Sequence, residues 1–146
     1  LKELLKEAAY LYEVGQQISV SDFQKHSGYI LANSELPGYN QDEQQLLGLL
    51  VSNGRKKFKR RSLPLLRHVS HKLLTRLIRL FRLAILLNNN RQPLVIDLLS
   101  LKADGSHMQL TIDKAFFLEQ ELNLADIDKE AKWMAKLGNK LSYQLV

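Results

Sequence analysis

A chain of 146 residues with 45% apolar side chains is sized for one globular domain, or one domain with a small appendix. It holds no cysteine, which excludes disulfides and thiolate chemistry and suits a reducing cytoplasm, the location expected for it. Its 21 Lys and Arg against 15 Asp and Glu give a formal charge of +6, apolar runs such as Leu83–Leu87 are too short to span a bilayer, and no signal-peptide pattern opens the chain.

Leu1 already lies in a helical stripe, with Leu4, Leu5, Ala8, Leu11 and Tyr12 on its apolar side and Gly15 as terminator. Beginning in mid-pattern without an initiator methionine, the chain reads as a piece of a longer protein. Ser19–Asp22 is a polar connection. Phe23–Asn33 is expected to form a second helix with Phe23, Tyr29 and Ile30 inward. Leu36-Pro37-Gly38 makes a turn. Asn40 followed by Glu43 forms a capping box, opening a helix from Gln41 to about Ser52 that buries Leu46, Leu47, Leu50 and Val51.

Asn53-Gly54 breaks that pattern. Lys56–Arg61 is a basic loop, and Ser62 with Pro64 is placed to restart a helix. The strongest helical pattern spans Lys72–Asn89, with Leu73, Leu74, Leu77, Ile78, Phe81, Ala84 and Ile85 on one face. Lys72, Arg76 and Arg79 align with Leu83 on a neighbouring face. Asn88-Asn89-Asn90 and Pro93 stop the helix.

Past Pro93 the period becomes that of strands. Leu94–Lys102 and His107–Ile112 flank Ala103-Asp104-Gly105-Ser106, a hairpin signal. Asp113 can cap a short helix through Leu118, Ala125–Asn139 is amphipathic, and Leu141–Val146 alternates as a third strand. The expected fold class is mainly α with a small α+β appendix. A helical region occupies residues 1–92. Residues 93–146 form a short antiparallel sheet, hairpin plus C-terminal strand, with a helix.

Charge is distributed unevenly. From Gln44 to Ile96 there is no Asp or Glu and there are twelve Lys or Arg, a formal charge of +12 against −6 for the rest of the chain. Like charges crowded together destabilise a fold and are tolerated more readily where a polyanion neutralises them.

Several segments resemble, in order and spacing, the C-terminal region of the exopolyphosphatase and guanosine pentaphosphate phosphatase (Ppx/GppA) family. They are Leu11-Tyr12-Glu13-Val14-Gly15, Lys25-His26-Ser27-Gly28-Tyr29-Ile30-Leu31, Asn33-Ser34-Glu35-Leu36-Pro37-Gly38-Tyr39, and Leu80-Phe81-Arg82-Leu83-Ala84 through Leu87-Asn88-Asn89-Asn90-Arg91-Gln92. The Asn-rich end of the long helix looks more like the exopolyphosphatase branch. The resemblance implies that the helical region is a divergent HD-type domain with upstream helices missing. It implies an actin-like catalytic region, absent here, that holds the catalytic carboxylate and phosphate loops and uses magnesium. It also implies a role for this region in holding polyphosphate and in forming a homodimer.

An HD-type metal site needs histidines and carboxylates together. By the resemblance, Tyr12, Val20, Gln24 and Gly54 stand where family members commonly show histidine, and His26 alone keeps an imidazole. One histidine with Glu13 does not close such a site, so no metal ligands are expected in this chain. His68 and His71 have cations and no carboxylate near them in sequence, and His107 is read as a surface residue. No nucleophile elbow or phosphate-cradling glycine loop occurs, so no catalytic residues are expected and the chain alone should be inert.

Scattered cations usually only solvate helix faces, but 53 residues without an acid call for a ligand. The leading expectation is inorganic polyphosphate, which needs a groove of cations: bidentate Arg and mobile Lys, with no aromatic platform. The candidate binding residues are Lys25, His26, Arg55, Lys56, Lys57, Lys59, Arg60, Arg61, Arg76 and Arg79. The whole enzyme would be an exopolyphosphatase, a hydrolase of phosphoric anhydrides, with this region guiding the chain for processive hydrolysis. The alternatives are the corresponding domain of a guanosine pentaphosphate phosphatase, a nucleic-acid-binding module and a dimerisation module. The pI of 9.6 allows nucleic acid, but Phe58 and Phe81 are the nearest aromatics and no nucleic-acid-binding motif appears. The leucine stripe of the long helix is better explained by its own core than by a second copy.

Overall fold

Asn40 and Glu43 do form the reciprocal cap. The Asn40 side chain accepts from the Glu43 N–H at 2.8 Å, and the Glu43 carboxylate accepts from the Asn40 N–H at 3.0 Å. This computed structural model describes residues 1–146 apart from Leu94, Gln120, Glu121 and Asn123, and apart from the side chain of Ile96. Among the described residues there are six α-helices and a three-stranded mixed sheet, the expected helical body and small sheet. They are α1 (Lys2–Leu11), α2 (Phe23–Asn33), α3 (Gln41–Ser52), α4 (His71–Leu87), β1 (Leu99–Asp104), β2 (His107–Ile112), α5 (Lys114–Glu119), α6 (Leu124–Lys136) and β3 (Lys140–Leu145). The chain divides into two compact units, residues 1–83 and 84–146.

In the first unit α3 buries Leu46, Leu47, Leu50 and Val51, and each fully buried side chain of this kind contributes roughly 1.5–3 kcal/mol. Against it lies α2, whose inward face is Gln24, Ser27, Gly28 and Leu31. That spacing leaves Tyr29, expected inward, 69% exposed. The two helices meet at glycines. A Cβ on Gly28 would lie 2.6 Å from the Ser52 Cβ, and one on Gly48 would lie 3.0 Å from the Gly28 carbonyl oxygen. The Gln44 side chain crosses from α3 to α2 and donates to the carbonyls of Leu31, at 2.8 Å, and Ser34. It thereby satisfies acceptors that the end of α2 leaves open.

Two expected boundaries move. α1 stops at Leu11, and Val14–Gln17 is a 3-10 turn in which the Gly15 N–H donates to the buried Ser27 hydroxyl at 2.8 Å. Ser62 and Pro64 start no helix: Arg60–Ser62 is a 3-10 turn, and α4 begins only after Ser70. Ser70 is the residue that caps it, its hydroxyl accepting from the Leu73 N–H at 3.2 Å. Leu74, Leu77, Ile78 and Phe81 of α4 are buried as expected, while Ala84 is exposed.

In the second unit β1 and β2 form the hairpin, with Asp104 opposite His107 and Leu99 opposite Ile112. Gly105 takes φ 57° at the turn. The third strand corrects the expected antiparallel sheet. β3 pairs with β2 in parallel, from His107 opposite Lys140 to Ile112 opposite Leu145. Its direction follows from the helical crossover through α5 and α6, which returns the chain to the end where β2 began. Asp113 caps α5 through a 2.8 Å bond from the Ala115 N–H. Met108, Leu110 and Ile112 are buried on β2, as are Ile127, Trp133 and Met134 on α6. His107, expected at the surface, is half-buried, and its Nε2 lies 2.7 Å from the Ser142 hydroxyl.

Candidate functional site

The basic loop is held from beneath by a cation. Arg82 is 7% exposed, and its Nη1 donates to the carbonyls of Asn53 at 2.8 Å and Lys56 at 2.7 Å. Lys56 takes the left-handed conformation, φ 59°, which is costly for a side chain with a Cβ and needs such fixing. With both carbonyls turned toward Arg82, the side chains of Arg55, Lys56, Lys57, Lys59, Arg60 and Arg61 are all exposed. Phe58 is half-buried among them.

The loop meets the first turn of α2. The Arg55 guanidinium sits 5.1 Å over the Phe23 ring, a cation–π contact. The Lys56 ammonium donates to the Asp22 carboxylate, and Lys25 lies close enough to add its charge there. The Lys56 hydrogen bond, with the charges of Lys56 and Lys25, holds the Asp22 carboxyl below the usual range. Lys25, Arg55 and Lys56 are thus brought together. His26, one position along α2, is half-buried.

Behind Arg55 lies an aromatic cluster. The Tyr12 ring packs edge-on against Phe23, 5.1 Å between centroids, and against Phe81, 5.6 Å. Tyr12 is 8% exposed, and its hydroxyl is the one fully buried side-chain polar atom without a hydrogen-bond partner among the described residues. Burial pushes its pKa up to about 12, against the opposing charges of Arg55 and Arg82. A neutral phenol therefore fills the place where the resemblance puts a metal-binding imidazole. Of the other replaced positions, Gln24 and Gly54 are buried and Val20 is exposed. Among the described residues no group of three or more His, Cys, Asp or Glu is placed to hold a metal ion.

On α4 the two candidate arginines part company. Arg76 is exposed, but Arg79 is 2% exposed, and burial, aided by the charge of Arg76, lowers its pKa. Helical geometry accounts for this: Arg79 shares a face with Thr75, Arg82 and Leu83, four before, three after and four after it, all of them buried. Arg79 therefore belongs to the interior rather than to the exposed cationic set. His68 and His71 do not act together. His68 Nε2 is 3.4 Å from the Asp42 carboxylate, and His71 Nε2 is 3.3 Å from the Pro64 carbonyl.

Two residues of this arrangement were missed by the pattern of the sequence. In the sequence Arg82 is only one more positive charge. Asp22 belongs to a polar connection, and nothing local marks it as the partner of a lysine 34 residues away. The assembled groups can attract and hold anions. They offer no nucleophile beside a base.

Residues 1–131 match the family described as Ppx/GppA phosphatase, domain III. The chain is 31% identical over 141 residues to a guanosine-5'-triphosphate,3'-diphosphate pyrophosphatase of Vibrio atlanticus (strain LGP32). It is 32% identical over 141 residues to proteins of the same name from Vibrio cholerae, and 31% identical over 137 residues to that of Vibrio parahaemolyticus. The alignments cover 97%, 97% and 94% of this chain, which spans only about 28% of the length of those curated relatives.

Proposed function

The chain belongs to the Ppx/GppA phosphatase family as its domain III, and from that premise we propose that it holds a polyphosphate chain for a phosphohydrolase whose catalytic region lies outside these residues. The observation that carries this reading is the exposed row of Arg55, Lys56, Lys57, Lys59, Arg60 and Arg61, displayed on a loop whose backbone is clamped by Arg82. Lys25 and Arg76 extend the exposed cationic set, with His26 beside Lys25. Guanidinium groups pair with phosphate oxygens two at a time, while lysines follow the chain as mobile point charges.

The whole protein is then a hydrolase of phosphoric anhydrides, an exopolyphosphatase that removes terminal phosphates. This domain performs no chemistry and keeps the polymer near the active site. Tethering one part of the chain raises the effective concentration of its end. Magnesium would serve in the catalytic region. Among the described residues no cluster of His, Asp or Glu is placed to hold it. A homodimer would place two such loops on one particle.

Charge reversal tests the reading. Lys57, Lys59, Arg60 and Arg61 are exchanged together for Glu, leaving Arg82, Lys56 and Asp22 in place. Binding of labelled long-chain polyphosphate at fixed salt should fall by at least a hundredfold. Unchanged affinity in a folded variant would remove the loop from the site.

A second reading is favoured by the names of the relatives. The ligand would be guanosine pentaphosphate, whose 5'-triphosphate and 3'-diphosphate present the same oxygens in a shorter array. Competition separates the two: under the first reading polyphosphate displaces the nucleotide at equal phosphate concentration, and the reverse order supports the second. Displacement of both by single-stranded RNA would favour a nucleic-acid module instead.

A further inference from the structure

Asp22 stands at the N-cap of α2, where an aspartate ordinarily accepts a bond from the helix backbone. Here it makes no capping bond. It takes the left-handed conformation, φ 53°, and its carboxylate accepts from the ammonium of Lys56, which is itself left-handed at φ 59°. Both partners remain open to solvent, with side-chain exposures of 59% for Lys56 and 37% for Asp22. Lys25, on α2, lies close enough to add its charge at the same carboxylate. Asp22 thus reaches into a loop that has no acid of its own, and it does so without making the capping bond of its position.

We propose that Asp22 is part of the anion site, an internal carboxylate that occupies Lys56 in the free protein and is exchanged for a phosphate group when a polyphosphate chain binds. This rests on the reading of the basic loop given above and adds the residue that opposes binding there. The pair is accessible from solvent, and exposed ion pairs of this kind hold weakly. A phosphate chain brings several charges to the loop at once and engages Arg55 and Lys57 on either side of Lys56. The lysine then exchanges one oxygen partner for another, and Asp22 turns to water. Because Lys56 and Asp22 together are neutral, the exchange adds little to the net charge that the free protein offers to the ligand.

The test is a double-mutant cycle on the 146-residue chain, with Asp22→Asn, Lys56→Gln and both together. Asparagine accepts left-handed backbone as readily as aspartate, and no capping bond is lost. Labelled long-chain polyphosphate is titrated at several salt concentrations. Asp22→Asn should bind roughly five-fold tighter, the size of one unit charge at contact distance in water. Its plot of log affinity against log salt should steepen by roughly 0.7–0.9. Both gains should shrink in the Lys56→Gln background. A carboxylate that merely orders the loop predicts the opposite sign, so equal or weaker binding by Asp22→Asn overturns the proposal. Failure of the wild-type chain to bind polyphosphate with any salt dependence would instead overturn the reading beneath it.

Discussion

The guanidinium of Arg82 donates to the carbonyl of Lys56 at 2.7 Å, and the same nitrogen reaches the carbonyl of Asn53 at 2.8 Å. One buried side chain of α4 therefore ties down both ends of the turn that launches the basic loop. Arg82→Met keeps most of the aliphatic stem and removes both bonds. It should lower the unfolding free energy by about 2–3 kcal/mol, since hydrogen bonds to charged groups are the stronger ones and two carbonyls lose their partner. Urea denaturation checks the loss, and faster amide exchange over residues 53–57 should accompany it. An unchanged urea midpoint would mean that the clamp carries no load.

Tyr12 makes a prediction of opposite sign. Its hydroxyl is buried without a partner among the described residues, a cost that phenylalanine does not incur. Tyr12→Phe should raise stability near neutral pH by about 1–2 kcal/mol. A drop in thermal midpoint would show that the hydroxyl is satisfied in solution.

The same phenol sets an alkaline limit. Its folded pKa is raised to about 12 from an ordinary value of 10.0. Below pH 10 it is neutral in both states, and no stability is lost to its ionisation. Between 10 and 12 the unfolded chain ionises first, and stability falls by up to about 1.4 kcal/mol per pH unit. Urea titrations at pH 9, 10 and 11 on wild type and Tyr12→Phe should therefore diverge progressively above 10, with the variant losing less. Parallel curves would contradict the burial of the hydroxyl.

The α2–α3 contact distinguishes two similar substitutions. A Cβ on Gly28 would stand 2.6 Å from the Ser52 Cβ and 2.9 Å from the Gly48 carbonyl oxygen. That demands a shift of backbone, at about 1–3 kcal/mol. The gain in helix propensity of about 1 kcal/mol only partly offsets it. Gly28→Ala should be net destabilising. At Gly48 the nearest atoms are 3.0 and 3.2 Å away, so the two effects nearly cancel and Gly48→Ala should be close to neutral. Equal effects in thermal melts would show that the helices are not in tight contact at Gly28.

What local chemistry specifies was readable in the chain. Asn40 and Glu43 mark the start of α3 because a capping box is complete within four residues, and α2 keeps its expected bounds of Phe23 and Asn33. Several of the misreadings involve distance. Tyr29 faces water because the glycine contact with α3 decides the rotation of α2, and periodicity over so short a helix does not. The direction of β3 depends on where α6 returns the chain, which alternation in Leu141–Val146 leaves open. The loop cations were visible as composition. Arg79 carries the same charge, but helical phase places it on the buried face with Thr75, Arg82 and Leu83, and the hold of Asp22 on Lys56 joins segments far apart in sequence.

The central claim is that the exposed cations of the loop act together on one polyanion. The most direct measurement is the affinity of the 146-residue chain for long-chain polyphosphate across a series of salt concentrations. Engagement of at least four cations predicts a linear plot of log affinity against log salt with a slope steeper than about −2.8. A slope near zero, or affinity unchanged from low to high salt, would contradict it.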